Sequence, residues 1–568
     1  MNSDGACIVQ RDFTVLLEKN HPGFEDARAR LALFAELVKS PAYYHTYRIT
    51  PLSLWNAAAA GMTAEEIARE LSGMSRWEVP GGVIEDIIMW VSRYGSLKLC
   101  PDGDDPGRLC LESTPDEPEL LPHLVKEKGL SGFGLELVAP CRAVFPALWR
   151  GDLKQALARL GYPVLDEAGY HQGQALSFRL KDETGSGRRF ALRPYQQESV
   201  EAFAGGSGSG ASGGDGGSGV LVLPCGAGKT VIGLAAMSRF QCETLILTSS
   251  VTSVRQWISE IADKTTLPAD AVGEYTGETK QVRPVTVSTY QILTHRGKNE
   301  EKFKHMSLFK ERDWGLIIYD EVHLLPAPVF RATADIQATR RLGLTATLVR
   351  EDGCERDVFS LIGPKRYEVP WKALEESGFI AQVECREVRV GLPETLKERY
   401  LLAEGRDKYR IAAENPRKNE IVKRLVTLHA GRQILIIGQY LDQLRGLAAD
   451  LGIPLITGSM PQAEREQWFA KFRSGAVPVL AVSKVANFAV DLPDASVAIQ
   501  ISGSFGSRQE EAQRLGRILR PKRDGGGALF YTLVSEETRE QEFAMRRQLF
   551  LIEQGYEYEV SFERGEGA

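Results

Sequence analysis

From Val220 onward, short and continuously apolar segments alternate with stretches that have helical character. One set of predicted strands covers Val220–Leu223, Thr244–Thr248, Val285–Ser288, Leu316–Tyr319 and Leu342–Leu344. A second set covers Ile434–Ile437, Pro454–Ile456, Val479–Val482, Val497–Ile501 and Ala528–Leu533. Strands that are apolar along their whole length and separated by helices are typical of parallel sheets covered on both faces. Two such sets predict an α/β protein with two parallel-sheet domains.

The first 190 residues are different, being mixed and mostly helical. Thr63 and Glu66 have the spacing of a capping box, which predicts a helix start, and an amphipathic helix is predicted over Gly82–Val91. The remaining predictions for this part are a linker over 102–118, a compact stretch over 121–180, a helix near Leu153–Leu160 and a strand near Ala175–Leu180.

Composition and charge exclude several classes of protein. The acidic excess lies in the first third, because residues 1–190 hold 21 Lys and Arg against 26 Asp and Glu. No apolar run reaches the roughly 20 residues of a membrane helix, and Met1–Gln10 lacks the layout of a signal peptide. The eight cysteines form no C-x-x-C pair, which argues against a zinc site or a disulfide framework. We therefore expect a protein that does not associate with membranes and that is located in the reducing cytoplasm.

The most biased segment is Gly205–Gly219, with nine Gly, four Ser, one Ala and one Asp. Such a segment cannot bury enough surface to offset the entropy of ordering it. A phosphate-binding role is disfavoured because no Lys followed by Ser or Thr comes after it at the required spacing. We predict a flexible linker.

A phosphate-binding loop is predicted directly after the first strand. Gly226 and Gly228 would let backbone N–H groups approach phosphate at the start of a helix predicted over Val231–Phe240. Lys229 would reach the β- and γ-phosphates, and the Thr230 hydroxyl would bind Mg²⁺. The strict motif begins with glycine where this chain has leucine, so the match is to its Gly-x-Gly-Lys-Thr part. The residues expected to bind ATP here are Pro224, Cys225, Gly226, Ala227, Gly228, Lys229 and Thr230.

Two carboxylates, Asp320 and Glu321, follow the predicted strand Leu316–Tyr319. The carboxyl ends of parallel strands are where ligands bind in such sheets. Asp320 is suited to hold Mg²⁺, and Glu321 is suited to polarise the water that attacks the γ-phosphate. An acidic turn with no role is the alternative, which the nearby lysine motif disfavours.

An Arg-rich helix is predicted in the second strand set. Gln513, Arg514, Arg517 and Arg520 recur at three- and four-residue spacing and so share one helical face. Arg517 and Arg520 are candidate arginine fingers for a γ-phosphate, and Gln513 is a candidate ATP contact. A basic helical face is often only solvated surface, but the two-domain context favours the catalytic interpretation.

The segments Leu223–Thr230, Asp320–His323, Leu344–Asp352 and Gln513–Arg520 together resemble the superfamily-two helicases. More narrowly, the chain resembles the XPB family in its bacterial or archaeal form, over about residues 186–540. The resemblance implies two RecA-like parallel-sheet helicase domains, preceded by smaller mixed α+β domains. It also implies ATP and Mg²⁺ between the RecA-like domains, and 3′–5′ unwinding of DNA in nucleotide excision repair or transcription-linked remodelling.

Further roles follow from the resemblance alone. Thr345 and Thr347 would couple hydrolysis to movement, and an Arg-Glu-Asp element associated with duplex opening comprises Arg350, Glu351 and Asp352. Arg193, Gln196 and Gln197 lie at the family's entry motif, where a contact with adenine is expected. Thr248-Ser-Ser250 with Arg255-Gln-Trp257, and Ser288-Thr-Tyr290, match two DNA-contacting motifs of the family. The residues expected to contact DNA are Thr248, Arg255, Ser288, Thr289, Ser483 and Lys484. The segment 394–424 would form a thumb-like insertion that grips DNA, and its interleaved acidic residues leave a solvated mixed-charge helix as the alternative.

The predicted domains are an accessory domain (1–105), a damage-recognition-like domain (106–185), RecA-like domain 1 (186–366), RecA-like domain 2 (367–545) and a C-terminal tail (546–568). The expected partners are double-stranded or forked DNA with a single-stranded tail, and a nuclease or other repair protein bound by the N-terminal domains. DNA binding predicts a nucleoid-associated location. Two alternatives stay open, namely a double-stranded DNA translocase without strand separation and an ATP-gated scaffold that recruits a nuclease.

Overall fold

The computed structural model describes residues 5–40, 43–103, 105–205, 216–224, 226–295, 303–337, 339–347, 355–483, 495–503, 511, 515 and 527–563. The chain divides into two compact units. The first comprises Met1–Leu223 and Gly228–Glu368, and the second comprises Pro224–Ala227 and Val369–Ala568. Each unit contains one seven-stranded sheet in which every pairing is parallel. The predicted pair of parallel-sheet, RecA-like domains is therefore confirmed. In the described part of the chain, no helix is long and apolar enough to cross a membrane.

The first unit opens with an antiparallel sheet of order β1-β2-β4-β3. Its strands are β1 (Cys7–Val9), β2 (Thr14–Glu18), β3 (Glu36–Lys39) and β4 (Tyr44–Arg48). Its helices are α1 (Phe24–Leu31), α2 (Pro51–Ala59), α3 (Ala64–Met74) and α4 (Gly81–Arg93). The capping box is confirmed, because the Thr63 hydroxyl accepts from the Glu66 N–H and the Glu66 carboxylate accepts from the Thr63 N–H.

A mixed five-stranded sheet of order β7-β8-β6-β5-β9 follows. Its elements are β5 (Leu97–Pro101), β6 (Arg108–Ser113), α5 (Leu120–Val125), β7 (Glu136–Ala139), β8 (Arg142–Pro146), α6 (Arg150–Arg159) and β9 (Val164–Asp166). The predicted linker over 102–118 contains β6, and β5 pairs with both β6 and β9. A domain boundary between residues 105 and 106 therefore cuts a hairpin. No strand covers Ala175–Leu180, where only isolated bridges to Cys242 and Thr265 occur.

The larger sheet of the first unit has the order β12-β13-β11-β14-β15-β10-β16. Its strands are β10 (Ser218–Val222), β11 (Thr244–Thr248), β12 (Val272–Tyr275), β13 (Val285–Thr289), β14 (Leu316–Asp320), β15 (Arg340–Thr345) and β16 (Lys365–Glu368). Its helices are α7 (Pro194–Phe203), α8 (Lys229–Phe240), α9 (Val251–Lys264), α10 (Tyr290–Leu293), α11 (Ala327–Asp335) and α12 (Glu355–Leu361). The Gly/Ser segment was predicted to be flexible up to Gly219, but Ser218 and Gly219 belong to β10; residues 206–215 lie outside the described part.

The accessory regions pack directly on this sheet domain. The Trp55 and Phe359 rings lie 6.0 Å apart, and Asn56 Oδ1 accepts a hydrogen bond of 3.1 Å from the Lys365 N–H. Deeper in the contact, the buried Lys154 ammonium donates to Asp166 at 2.7 Å and to Gln337 at 2.9 Å. Buried charges need such partners. The N-terminal regions are thus joined to the first RecA-like domain by an aromatic contact at Trp55 and by a buried polar contact at Lys154.

The sheet of the second unit has the order β19-β20-β18-β21-β22-β17-β23. Its strands are β17 (Val383–Val390), β18 (Ile434–Ile437), β19 (Leu455–Ile456), β20 (Val479–Val482), β21 (Val497–Gln500), β22 (Ala528–Ser535) and β23 (Tyr558–Glu563). The helices described are α13 (Trp371–Glu376), α14 (Glu394–Leu402), α15 (Gly405–Ala413), α16 (Pro416–Leu428), α17 (Leu441–Leu451), α18 (Gln462–Arg473) and α19 (Arg539–Glu553).

The segment 546–568, predicted as a tail, instead supplies the end of α19 and the edge strand β23. Strand β23 pairs in parallel with β17 from Cys385 to Val390. Both strands escaped prediction because they alternate polar and apolar residues, a pattern unlike the continuous apolar runs of the central strands. The second RecA-like sheet is therefore wider than the sequence pattern indicates.

Candidate active site

The carboxyl ends of five neighbouring strands, β13, β11, β14, β15 and β10, form one edge of the larger sheet of the first unit. Strand β14 pairs with β11 and β15, β11 also pairs with β13, and β15 also pairs with β10. Because parallel strands end at the same edge, the segments that follow them lie side by side. This edge brings together the predicted residues Lys229, Thr230, Asp320, Glu321, Thr345, Thr248 and Thr289.

Lys229 and Glu321 form an ion pair at the centre of this edge. The Lys229 Nζ atom lies 3.2 Å from Glu321 Oε1, and the two side chains are only 12% and 18% exposed. Lys229 is the first residue of α8, so it sits where the helix dipole favours negatively charged ligands. Glu321 directly follows β14 and has a left-handed backbone with φ of +53°. Left-handed non-glycine residues are uncommon and cluster at functional sites.

Asp320, the last residue of β14, is the second acidic group. Burial and the adjacent Glu321 carboxylate raise the pKa of Asp320 to about 6. The Trp257 indole N–H opposes this effect, donating a hydrogen bond of 2.9 Å to Asp320 Oδ2. Burial is the larger of the two causes, so the surroundings of Asp320 disfavour its charged form.

The residues at this edge fit a divalent cation. Two adjacent carboxylates face a single paired ammonium group, and the Thr230 hydroxyl belongs to the first turn of α8. Mg²⁺ prefers oxygen ligands and is usually held by one or two protein groups together with substrate phosphates. The described residues contain no group of three or more His, Cys, Asp or Glu that could hold a metal ion. Asp320 and Thr230 are the residues suited to hold the ion.

His323 connects this acidic pair to the end of β15. Its Nδ1 atom lies 2.7 Å from Thr345 Oγ1 and 3.5 Å from Glu321 Oε2. Thr345 donates its one hydroxyl hydrogen to the Thr347 carbonyl at 2.6 Å, so the hydrogen-bond network assigns the His323 proton to Nδ1. His323 thus contacts both Thr345, which is expected to couple hydrolysis to movement, and Glu321, which is the candidate base. Sequence reasoning did not assign a role to His323.

The two glutamines at the predicted adenine motif differ in their surroundings. Gln197 is exposed and its amide donates to Glu201 on the same helix at 3.1 Å. Gln196 is buried, and a Cβ at Gly228 would lie 2.7 Å from its Nε2 atom. The backbone N–H of Arg193 donates to Gln196 Oε1 at 3.0 Å. Gln196, rather than Gln197, is therefore the glutamine that reaches the phosphate loop.

The phosphate loop itself has the backbone that its glycines permit. Gly226 and Gly228 have φ values of +86° and +80°. Ala227 is buried, and its N–H bonds to the Pro224 carbonyl at 3.2 Å. Cys225 lies outside the described residues.

The predicted DNA contacts of the first unit lie at the same edge, but most of their hydroxyls are used internally. Thr248 donates to the Ser250 carbonyl at 3.1 Å, and Ser288 donates to the Tyr275 carbonyl at 2.8 Å. Thr289 caps α10 by accepting from the Ile292 N–H. Arg255 is exposed on α9 and pairs with Glu278 at 3.1 Å. Thr248 and Ser288 therefore donate their hydroxyl hydrogens within the protein, whereas Thr289 uses its oxygen as an acceptor.

Several predicted residues of both regions lie outside the described part of the chain, namely Arg350, Glu351, Asp352, Lys484, Gln513, Arg514, Arg517 and Arg520. In the second unit, Ser483 follows β20 and is buried. Glu511 is fully buried, accepting from Gln500 Nε2 at 3.0 Å and from the Tyr558 hydroxyl at 3.3 Å. These contacts anchor the residue from which the predicted Arg-rich segment starts.

The thumb-like segment consists of helices α14, α15 and α16. Lys418 is not available to DNA, because it is fully buried and bonded to both Glu540 carboxylate oxygens at 2.8 and 2.7 Å. Four other basic residues pair with acidic neighbours, namely Lys397, Arg410, Lys423 and Arg424. The remaining basic residues of the predicted surface are Arg399, Arg406, Lys408 and Arg417. Both interpretations of this segment, DNA grip and solvated helix, stay predictions for those residues.

Comparison with known proteins relates the whole chain to one family. Residues 374–565 match the ERCC3/RAD25/XPB C-terminal helicase family, residues 189–350 match the type III restriction enzyme res subunit family, and residues 7–139 match a helicase conserved C-terminal domain. The DNA 3′-5′ helicase XPB of Kineococcus radiotolerans is 50% identical over 558 residues, covering 98% of this chain and 96% of the relative. This chain belongs to the XPB family.

The XPB relationship extends beyond one lineage. The DNA 3′-5′ helicase XPB of Mycobacterium tuberculosis is 50% identical, with 98% of this chain and 97% of the relative covered. The XPB/SSL2 helicase/translocase subunit of the general transcription and DNA repair factor IIH of Saccharomyces cerevisiae is 32% identical, with 97% and 71% covered. In this XPB-family chain, the accessory N-terminal regions are included in the match together with both helicase domains.

Proposed function

We propose that the chain is an ATP-dependent DNA helicase that moves 3′ to 5′ and acts in DNA repair or transcription-linked remodelling. The observation that carries the proposal is the Lys229–Glu321 pair at 3.2 Å beside Asp320, in a chain of the XPB family. Both bacterial relatives are named DNA 3′-5′ helicases, which supports this direction of movement. The yeast relative is named as a subunit of a general transcription and DNA repair factor, which supports the repair and transcription setting.

Each residue of the edge has a role in this proposal. The Glu321 carboxylate accepts a proton from the attacking water, and its left-handed backbone presents it beyond the strand end. Lys229 and the helix start hold the β- and γ-phosphates. Mg²⁺, when bound by Asp320 and Thr230, neutralises phosphate charge. Arg517 and Arg520 are proposed to stabilise the charge that develops on the γ-phosphate.

The test of this activity is ATP hydrolysis with and without DNA, in the intact chain and in the variant Lys229→Ala. We expect hydrolysis that DNA stimulates in the first and that is lost in the second. Hydrolysis that persists in Lys229→Ala, or that DNA leaves unchanged in the intact chain, contradicts the proposal. A triplex-displacement assay beside a forked-duplex assay separates strand unwinding from translocation along a duplex.

A protein partner for the N-terminal regions is part of the proposal. Large apolar side chains are exposed in the loops of the N-terminal region that contains β1 to β4, including Leu33 at 55%, Tyr43 at 71% and Trp77 at 54%. Exposed aromatic residues are enriched at protein interfaces. A nuclease or other repair protein fits this surface, and a nucleoid-associated cytoplasmic location fits the proposed substrate. Co-purification of the partner with the intact chain and with the variants Trp77→Ala and Tyr43→Ala tests this proposal. We expect both variants to lose the partner and to keep ATP hydrolysis.

A further inference from the structure

Two buried aromatic side chains, which end the motif segments Arg255–Trp257 and Ser288–Tyr290, converge on Asp320. The Trp257 indole N–H donates to Asp320 Oδ2 at 2.9 Å, and the Tyr290 hydroxyl donates to the Asp320 backbone carbonyl at 2.9 Å. The two residues are 1% and 2% exposed. One bond therefore orients the carboxylate, and the other orients the peptide group that leads into Glu321.

Both donors come from helices that begin at predicted DNA-contacting segments. Trp257 belongs to α9, which starts directly after Thr248-Ser-Ser250 and carries Arg255 on its exposed side. Tyr290 is the first residue of α10, which starts directly after Ser288 and Thr289. A displacement at either helix start is transmitted to its own aromatic residue, because helices move as stiff elements.

The packing around Trp257 leaves little freedom for independent movement. A Cβ on Gly233 would lie 2.4 Å from the Trp257 Cη2 atom, so the indole is in close contact with the helix that carries Lys229. Gly233 is itself buried in α8. Trp257 therefore touches the acidic strand end and the phosphate-loop helix together.

The Tyr290 bond acts on a strained point of the backbone. Glu321 has φ of +53°, a conformation that persists in non-glycine residues only when the surroundings enforce it. The peptide between Asp320 and Glu321 is fixed on one side by the Tyr290 hydroxyl. Its position determines where the Glu321 carboxylate points.

We propose that Trp257 and Tyr290 are positioning residues that transmit DNA contact at the starts of α9 and α10 to the Asp320–Glu321 pair. The inference rests on the proposed function and adds the route by which DNA stimulates hydrolysis. Neither residue touches the phosphates; each acts by orienting a group of the acidic pair. Loss of either hydrogen bond lowers stimulation by DNA more than it lowers basal hydrolysis.

The variants that test this are Trp257→Phe and Tyr290→Phe, which remove one donor each and keep an aromatic ring. Two matched controls lie in the same domain. Trp314→Phe removes a buried indole bond of 2.9 Å to the Leu308 carbonyl, and Tyr319→Phe removes a buried hydroxyl bond of 2.9 Å to Thr333. Thermal unfolding of all four variants identifies those that fold.

The measurement is the ratio of DNA-stimulated to basal ATP hydrolysis. We expect the ratio to fall about tenfold in Trp257→Phe and Tyr290→Phe, because bonds to charged or strained groups are worth more than ordinary ones. The ratio in the two controls stays near that of the intact chain. If Trp257→Phe does not fold, the inference is tested by comparing the ratio of DNA-stimulated to basal hydrolysis in Tyr290→Phe with that ratio in Tyr319→Phe.

A second measurement does not depend on hydrolysis. Coupling between two binding sites is reciprocal in free energy, so if DNA changes the affinity for nucleotide, nucleotide changes the affinity for DNA by the same factor. Fluorescence anisotropy of a labelled 3′-tailed duplex, with and without a non-hydrolysable ATP analogue, measures that change. We expect the change to shrink about tenfold in the two positioning variants. Unaltered ratios and unaltered DNA affinity shifts in folded variants overturn the inference. An intact chain with no DNA stimulation overturns it together with the proposed function.

Discussion

The Lys229 ammonium lies 3.2 Å from the Glu321 carboxylate, so the candidate phosphate ligand and the candidate base are paired with each other. In the proposed reaction, the γ-phosphate competes with Glu321 for Lys229. Binding of the nucleotide would then release the carboxylate to accept a proton. The pair thus links occupancy of the phosphate loop to availability of the base.

The variants Lys229→Ala and Glu321→Gln should separate these two roles. Lys229→Ala loses a phosphate ligand, and we expect weaker nucleotide binding together with loss of hydrolysis. Glu321→Gln loses the base and the charge that competes for Lys229, so we expect nucleotide binding as tight as in the intact chain and hydrolysis lowered by about 10²-fold or more. Nucleotide titration and steady-state hydrolysis measure both.

The control for this pair is Lys264→Ala. Lys264 lies at the end of α9 in the same domain, with 15% of its side chain exposed, and pairs with Glu260 and Asp263 at 2.8 Å each. None of these three residues belongs to the candidate site, so the folded variant should keep both nucleotide affinity and hydrolysis. Glu321→Gln with undiminished turnover would remove Glu321 from the proposed mechanism.

The raised pKa of Asp320, to about 6, predicts a pH-dependent stability of the chain without Mg²⁺ and nucleotide. Between about pH 4 and pH 6 the folded state binds more protons than the unfolded state, so the free energy of unfolding falls as pH rises through this window. Asp320→Asn removes the buried charge. We expect its Tm at pH 7.5 to exceed that of the intact chain by about 2 °C, and the difference to vanish near pH 4. A Tm of Asp320→Asn below that of the intact chain at pH 7.5 contradicts this prediction. Asp320→Asn should nonetheless lose ATP hydrolysis.

Thr345→Val should separate hydrolysis from unwinding. The substitution preserves shape but deprives the His323 N–H and the Thr347 N–H of their shared acceptor. Buried donors left unpaired cost about 1–3 kcal/mol. We expect ATP hydrolysis within a few-fold of the intact chain, as about 1 kcal/mol implies, and strand displacement that is largely lost.

The matched control is Thr333→Val, which removes a buried hydroxyl bonded to Tyr319 and to the Val329 carbonyl. It should lower stability to a similar extent and leave the ratio of unwinding to hydrolysis unchanged. Equal ratios in the two variants would show that the His323–Thr345 bond is only structural.

Lys418→Met should destabilise the second unit without a selective loss of DNA affinity. Both Lys418 and Glu540 are fully buried, and the substitution leaves the Glu540 carboxylate without its cation. Breaking such a pair costs about 3–5 kcal/mol, whereas Lys418→Met with Glu540→Gln should recover most of the loss. Chemical denaturation measures the stability, and anisotropy measures DNA binding. A folded Lys418→Met with markedly weaker DNA binding would return Lys418 to the DNA-gripping set.

Sequence patterns predicted the central strands and the Lys229 and Asp320–Glu321 motifs because these features are local. Continuous apolar runs mark buried parallel strands, and adjacent motif residues need no tertiary information. The roles of Trp257, Tyr290 and His323 depend on pairings between residues 22 to 63 positions apart in the chain. Such contacts arise from strand order, which the sequence pattern does not specify. The domain boundary predicted between residues 105 and 106 separates two paired strands for the same reason, because the sequence pattern does not show that β5 and β6 pair across this Pro- and Gly-rich segment.

Strand displacement on 3′-tailed, 5′-tailed and blunt DNA tests the central claim most directly. In the presence of ATP and Mg²⁺, we predict displacement of the strand from the 3′-tailed substrate and little or none from the 5′-tailed and blunt substrates, with no displacement by Glu321→Gln on any of them. Displacement that proceeds equally in Glu321→Gln, or only from the 5′-tailed substrate, would contradict the account.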